Sequence, residues 1–160
     1  MSAASDRPVR VLFVCLGNIC RSPAAEGVFL HLIEQEGLQD CFEVDSAGTG
    51  GWHVGHPADS RMRAAAERRG IKLLSRARQI SAEDLQHYDW ILTMDADNLR
   101  NVRRLDPSGQ SHGRIAPLTN HCQVLQASEV PDPYYGGEQG FEHVLDLLED
   151  ACAGLLSQLL

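Results

Sequence analysis

The feature that most constrains the fold is a short loop at residues 15–22, which we call the cysteine loop. It follows an apolar run at residues 9–14, whose composition is typical of a β-strand covered on both faces. The segment after it has apolar residues at helical spacing and a proline, Pro23, in its first turn. Strand, short loop and helix in this order predict the first unit of a parallel α/β sheet.

Strand and helix patterns alternate along the rest of the chain. Further strands are expected at residues 42–46, 88–94 and 115–118, the last at a sheet edge because it contains Pro117. Helices are expected at residues 23–37, 57–70, 95–105 and 141–159, with a short one after the capping pattern at 81–84. This alternation predicts a doubly wound α/β sandwich with a central, mostly four-stranded parallel sheet and helices on both faces.

Length and charge limit what the chain can be. Its 160 residues predict a single domain over residues 1–160, with residues 1–7 as a flexible N-terminal tail. The net charge of −8 argues against nucleic acid or an anionic membrane as a partner. Residues 1–8 are short and polar and do not resemble a signal peptide. Five cysteines, an odd number, fit a reducing cytoplasm, and we expect a monomer.

The cysteine loop brings a thiol, backbone amides and an arginine to one point. Cys15 ends the strand, and the unpaired N–H groups at the start of the following helix lie close to it. Together with Arg21 these donors favour a thiolate and can hold three oxygens of a phosphate. Gly17 permits a tight turn, Asn18 tolerates a left-handed conformation, and Ser22 can donate a hydrogen bond to the sulfur. The loop therefore predicts an oxyanion site with a sulfur beneath it.

A thiolate that attacks phosphorus needs an acid to protonate the leaving oxygen, and an arginine cannot do this because it stays charged. Asp132 is the best candidate, since Pro131 and Pro133 hold it on a stiff loop. Tyr134 and Tyr135 follow directly and offer flat walls for an aromatic leaving group. Without the cysteine loop, an ordinary surface turn would explain these residues better.

Together these motifs resemble the low molecular weight protein tyrosine phosphatases, and their bacterial branch in particular. The matching segments are residues 11–23, 45–49, 77–79, 94–95, 98–100 and 132–136, which follow in order over nearly the whole chain. The resemblance implies an enzyme that hydrolyses phosphotyrosine in proteins, or small aryl phosphates, through a phosphocysteine intermediate. It implies neither a metal nor another cofactor.

The resemblance also implies the roles of the site residues. Cys15 would be the nucleophile, Arg21 would bind the phosphate and the transition state, and Asp132 would act first as the general acid and then as the base. Ser46 would belong to the hydrogen-bond network that fixes the loop. The residues that would contact the substrate are Leu16, Gly17, Asn18, Ile19, Cys20, Ser22, Trp52, Tyr134 and Tyr135.

Cys20 and Ser75 have more specific expectations. Cys20 resembles the second loop cysteine of the family, which can form a reversible disulfide with the nucleophile and protect it from irreversible oxidation. Ser75 stands where family members often have a histidine that helps to hold the loop network. We therefore expect a network that is looser, or one that uses the serine hydroxyl.

Other polar residues support less definite interpretations. His53 and His56 lie three apart in a glycine-containing loop, and a loop surface explains them better than a metal site. Asp95 and Glu26 are either partners of the cysteine loop or, respectively, a helix N-cap and an exposed helix charge.

Two other functions stay open from the sequence. A thiol-dependent arsenate reductase uses the same loop but needs further cysteines in a mobile segment, and none lies between Cys41 and Cys122. A non-catalytic phosphotyrosine-binding module could dispense with Cys15 or Asp132, and this chain has both.

Overall fold

The computed structural model describes residues 7–134 and 136–160. Tyr135 and most of the predicted N-terminal tail therefore lie outside the described residues. The strands are β1 (Val9–Cys15), β2 (Phe42–Gly48), β3 (Trp90–Thr93) and β4 (Arg114–Pro117). They form one sheet in the order β2-β1-β3-β4, and each neighbouring pair is parallel. Pro117 lies on the edge strand, as predicted.

Helices alternate with these strands. They are α1 (Arg21–Gln35), α2 (Ser60–Glu67), α3 (Asp84–His87), α4 (Ala96–Arg103) and α5 (Glu138–Leu159). This order confirms the predicted sandwich with a four-stranded parallel sheet. Within the described ranges, no helix has the length and apolar character needed to cross a membrane.

Side chains of β1 are buried on both faces of the sheet. Val11 and Phe13 belong to a core shared with α1, α2 and α5, whereas Leu12 and Val14 belong to a second core shared with α3 and α4. All four side chains are inaccessible to solvent. β1 is thus a central strand, and its carboxyl end, Cys15, lies between β2 and β3. The connections diverge there to the two sides of β1, and open α/β sheets bind ligands at such points.

Two helices begin three residues away from the positions that the sequence patterns predicted, 57 and 141. Pro57 is paired with Arg76 in an isolated β-bridge, so the chain is still extended there. α2 begins only at Ser60, because the carboxylate of Asp59 accepts hydrogen bonds from free amides of its first turn. The last helix begins earlier than predicted, at Glu138.

Candidate active site

Backbone hydrogen bonds hold the carbonyl groups of the cysteine loop. Amides of the turn after β2 donate to the carbonyls of Cys15 and Leu16, both over 2.9 Å, and the amide of Asp59 donates to that of Ile19 over 2.7 Å. Because the N–H of a peptide unit points away from its C=O, the loop amides face the other way. The amide of Asn18 lies 3.3 Å from Cys15 Sγ. The loop therefore directs backbone donors towards the sulfur.

Asn18 adopts the left-handed conformation expected of it, with φ of 57°. Its side-chain oxygen accepts a hydrogen bond from the amide of Arg78 over 2.9 Å. Its side-chain nitrogen donates to the hydroxyls of Ser22 and Ser46, over 2.7 and 3.0 Å. These bonds fix the loop to α1, to β2 and to the segment before α3.

The network continues from Ser46 to a buried carboxyl group. Ser46 Oγ donates to Glu26 Oε1 over 2.6 Å, and the side chain of Ser75 also favours the ionised form of this carboxyl group. Burial raises the pKa of Glu26, and the two serines oppose that shift. Glu26 is thus a partner of the loop network rather than an exposed helix charge, and the Ser75 side chain acts on the same carboxyl group.

We expect Ser46→Ala to destabilise the protein by about 1–3 kcal/mol, because the side-chain nitrogen of Asn18 loses an acceptor and the carboxyl group of Glu26 loses a donor. Without that donor the pKa of Glu26 rises further in the folded state. A raised folded pKa gives stability that is present below the ordinary carboxyl pKa and is lost as the pH rises through the raised value. Urea unfolding should therefore show a larger loss at about pH 8 than at about pH 5.

Ser75→Ala is the matched control, since it removes a second hydroxyl that favours the ionised form of the same carboxyl group but leaves Asn18 bonded to Ser46. Its effect should be smaller. Equal losses for Ser46→Ala at both pH values would contradict the role assigned to Glu26.

The two thiols of the loop differ in their surroundings. Cys15 Sγ lies 3.0 Å from Ser22 Oγ, and the one hydrogen of this hydroxyl can be donated either to the sulfur or to the carbonyl of Ala47, 3.3 Å away. Burial raises the pKa of the Cys20 thiol, and the negative charge of Asp59 adds to this shift. Burial therefore favours the neutral thiol of Cys20, whereas the sulfur of Cys15 is in contact with a hydroxyl and an amide.

Arg21 provides the positive charge of the site. Its buried guanidinium pairs with Asp95 Oδ2 at 2.6 Å and with Asp132 Oδ2 at 3.6 Å, and it donates to the carbonyl of Val130. Burial lowers the pKa of Arg21, but the negative charges of Cys15 and Asp95 outweigh this and hold it above its ordinary value. Arg21 thus stays charged and links the cysteine loop to the loop that carries Asp132.

Asp95 has both of the roles considered for it. One carboxylate oxygen binds Arg21, and the other accepts a hydrogen bond from the amide of Asn98 over 2.8 Å, which caps α4. The cap fixes the carboxylate, and the carboxylate in turn orients the arginine.

The cysteine loop forms the floor of a cleft of about 400 Å³. Nine of the predicted site residues line it: Cys15, Leu16, Gly17, Ile19, Cys20, Arg21, Trp52, Asp132 and Tyr134. Trp52 is 71% exposed at the mouth of the cleft. The amide of Tyr134 donates to Asp132 Oδ1 over 3.1 Å. The cleft has a polar floor and aromatic walls, which suits a phosphate attached to a ring.

Comparison with known proteins shows the family to which this chain belongs. The family described as low molecular weight phosphotyrosine protein phosphatase matches residues 10–160. The chain belongs to this family. A low molecular weight protein-tyrosine-phosphatase of Streptomyces coelicolor is 44% identical over 150 residues, which is 92% of either chain. The family assignment confirms the predicted enzyme class, the first of the three functions considered.

Solved structures of phosphatases have the same fold. A protein tyrosine phosphatase from Entamoeba histolytica superposes with a TM-score of 0.90 at 43% identity, over 94% of this chain and 96% of the other. A Drosophila arginine phosphatase superposes with a TM-score of 0.87 at 32% identity, over 92% and 96%.

His53 is a residue of this phosphatase cleft that the sequence interpretation missed. It lines the cleft, with its ring centroid 6.4 Å from that of Tyr134 and 5.7 Å from that of His56. Its side chain lies so close to Gly17 that a Cβ there would come within 3.0 Å of the ring. The available indication was its position next to Trp52, which was assigned to the cleft.

Proposed function

We propose that the chain hydrolyses phosphotyrosine in proteins, and small aryl phosphates, through a covalent phosphocysteine. The observation that carries this proposal is that Cys15, Arg21 and Asp132 line one cleft, with Arg21 and Asp132 only 3.6 Å apart. A nucleophile, a cationic oxyanion site and a carboxyl group are the three components that such a reaction requires without a metal.

In the first step the thiolate of Cys15 attacks phosphorus in line with the leaving oxygen. The S–P bond forms, the P–O bond breaks, and protonated Asp132 gives its proton to the phenolate oxygen. Arg21 and the loop amides hold the three equatorial oxygens, over which the transition state spreads its charge. The hydroxyl of Ser22, 3.0 Å from the sulfur, stabilises the thiolate before the attack.

In the second step the carboxylate of Asp132 takes a proton from water, and the water oxygen attacks the phosphorus of the phosphocysteine. The S–P bond breaks, and the electron pair returns to Cys15 as the thiolate. Ser22 now stabilises the sulfur as a leaving group. Inorganic phosphate is released, and Asp132 is again protonated for the next cycle.

The aromatic residues at the mouth select the leaving group in this proposal. Trp52 and Tyr134 offer flat surfaces in the cleft, and the ring centroid of His53 lies 6.4 Å from that of Tyr134. Tyr135 is proposed as a further wall on the basis of the family resemblance. Leu16 and Ile19, which also line the cleft, supply further apolar contacts.

We further propose a cytoplasmic location and a redox-sensitive site. All five cysteines are free thiols, which fits a reducing compartment. A peroxide would oxidise the Cys15 thiolate to a sulfenic acid, and the thiol of Cys20 would then displace water to form a disulfide. A thiol reductant would restore both cysteines.

A substrate series tests this function. In the presence of EDTA, we expect hydrolysis of p-nitrophenyl phosphate and of a phosphotyrosine peptide at the rates seen without EDTA. The same peptide with phosphoserine should react slower by on the order of 10²-fold, because its side chain leaves the aromatic walls uncovered. Faster hydrolysis of phosphoarginine would contradict the proposed substrate class. A requirement for metal would contradict the mechanism.

A further inference from the structure

We infer that Arg61 is a positioning residue for the general acid, because it holds the acid loop, residues 131–134, against the cysteine loop. The inference rests on the proposed function, in which Asp132 protonates the leaving oxygen. Arg61 itself lies beside the cleft and is not among the residues that line it.

On one side, Arg61 is fixed relative to the cysteine loop. Its guanidinium forms a bidentate pair with the carboxylate of Asp59, with Nε–Oδ1 at 3.1 Å and Nη2–Oδ2 at 2.9 Å. The Asp59 side chain is 10% exposed, and its backbone amide donates to the carbonyl of Ile19 over 2.7 Å. One residue thus binds both the arginine and the floor of the cleft.

On the other side, Arg61 contacts the acid loop. Its guanidinium carbon lies 5.3 Å from the ring centroid of Tyr134 and 4.9 Å from that of Phe141. Phe141 is anchored in the core by α5 and is 1% exposed. Tyr134 in turn donates its amide to Asp132 Oδ1 over 3.1 Å. Arg61 therefore connects the floor of the cleft to the residue next but one after the acid.

The acid loop needs such support because of its own structure. In the described part of the chain, residues 122–134 contain neither helix nor strand. The carboxyl group of Asp132 must nevertheless lie within hydrogen-bond distance of the leaving oxygen, and a displacement of about 1 Å can slow a reaction by as much as about 10²-fold. The Arg61 side chain is 44% exposed, so its removal opens no cavity in the core.

The basicity of the leaving group distinguishes an acid-positioning residue from one that only binds substrate or stabilises the fold. p-Nitrophenolate leaves with little help from an acid, whereas phenolate needs the proton. We expect Arg61→Ala to lower kcat/KM for phenyl phosphate by about 10-fold more than for p-nitrophenyl phosphate, a part of the 10²–10⁴-fold that a general acid contributes. Arg61→Lys keeps the charge but not the bidentate pair, and it should give an intermediate effect.

Arg63→Ala is the matched control. Arg63 lies on the same helix, and its Nε donates to the carbonyl of Ala58 over 2.8 Å. Its removal should leave kcat/KM for both substrates unchanged. Equal losses for both phosphate esters in Arg61→Ala would overturn the inference. Arg61→Lys serves as the test if Arg61→Ala does not fold.

A double-mutant cycle separates this inference from the proposed function. In the Asp132→Ala background, Arg61→Ala should cause no further loss with phenyl phosphate, since the group it positions is gone. Additive losses would overturn the inference. If Asp132→Ala has no effect by itself, the proposed acid is wrong. If Asp132→Ala is slow but Arg61→Ala behaves like Arg63→Ala, only the role of Arg61 is wrong.

Discussion

Cys15→Ser will abolish hydrolysis of p-nitrophenyl phosphate while leaving the protein folded. A serine hydroxyl is not ionised at neutral pH, so no anionic nucleophile remains beneath the phosphate. We expect kcat to fall on the order of 10⁵–10⁶-fold, which is the effect of removing the nucleophile in enzymes whose catalytic residues act as a unit. The donors of the loop and Arg21 remain, so the variant should still bind inorganic phosphate.

Cys41→Ser is the matched control for this result. Cys41 is also a free thiol, but it lies in the turn before β2 and outside the residues that line the cleft. Its activity should equal that of the wild type. Intact-mass analysis after rapid quenching should detect a phosphoryl adduct on the wild type and none on Cys15→Ser. Undiminished turnover by Cys15→Ser would refute the covalent mechanism.

The cysteine loop was predictable because its determinants are local. The apolar run of β1 ends at Cys15, Pro23 lies in the first turn of α1, and Asn18 is a residue type that tolerates positive φ. These properties follow from the consecutive residues 9–23 and need no knowledge of the rest of the chain. That Asp132 lines the same cleft was expected for a related reason, since its flanking prolines restrict the backbone whatever surrounds it, whereas its role as the acid stays a prediction.

The network behind the loop was not predictable in the same way. Glu26 lies one turn after Ser22 on α1, and its burial depends on Ser46 at the end of β2 and on Ser75. Nothing local to α1 reveals those neighbours. The role of Arg61 likewise depends on three segments that meet only in the folded chain, and four arginines within residues 61–69 are equally consistent with a solvated helix face. Local rules fail where side chains from distant segments decide the environment.

Asp132→Ala will slow the first chemical step by about 10²–10⁴-fold, the usual contribution of a general acid. The effect should be larger with phenyl phosphate than with p-nitrophenyl phosphate, because a more basic leaving oxygen depends more on the proton. Stopped-flow measurement of phenol release in a single turnover measures this step directly. Substrate binding should weaken little, since Arg21 and the loop amides remain.

Asp132→Asn separates proton transfer from loop structure. The side-chain oxygen of the asparagine can still accept the hydrogen bond from the backbone amide of Tyr134, as Asp132 Oδ1 does at 3.1 Å. Its carboxamide, however, is not an acid and cannot transfer a proton to the leaving oxygen. We therefore expect Asp132→Asn to be as slow as Asp132→Ala. Glu129 is a nearby carboxylate that accepts a hydrogen bond from the backbone amide of Ala96, and Glu129→Gln should keep wild-type rates. If Asp132→Asn instead recovered activity, the carboxyl group would act by shaping the loop, and the proton would have to come from elsewhere.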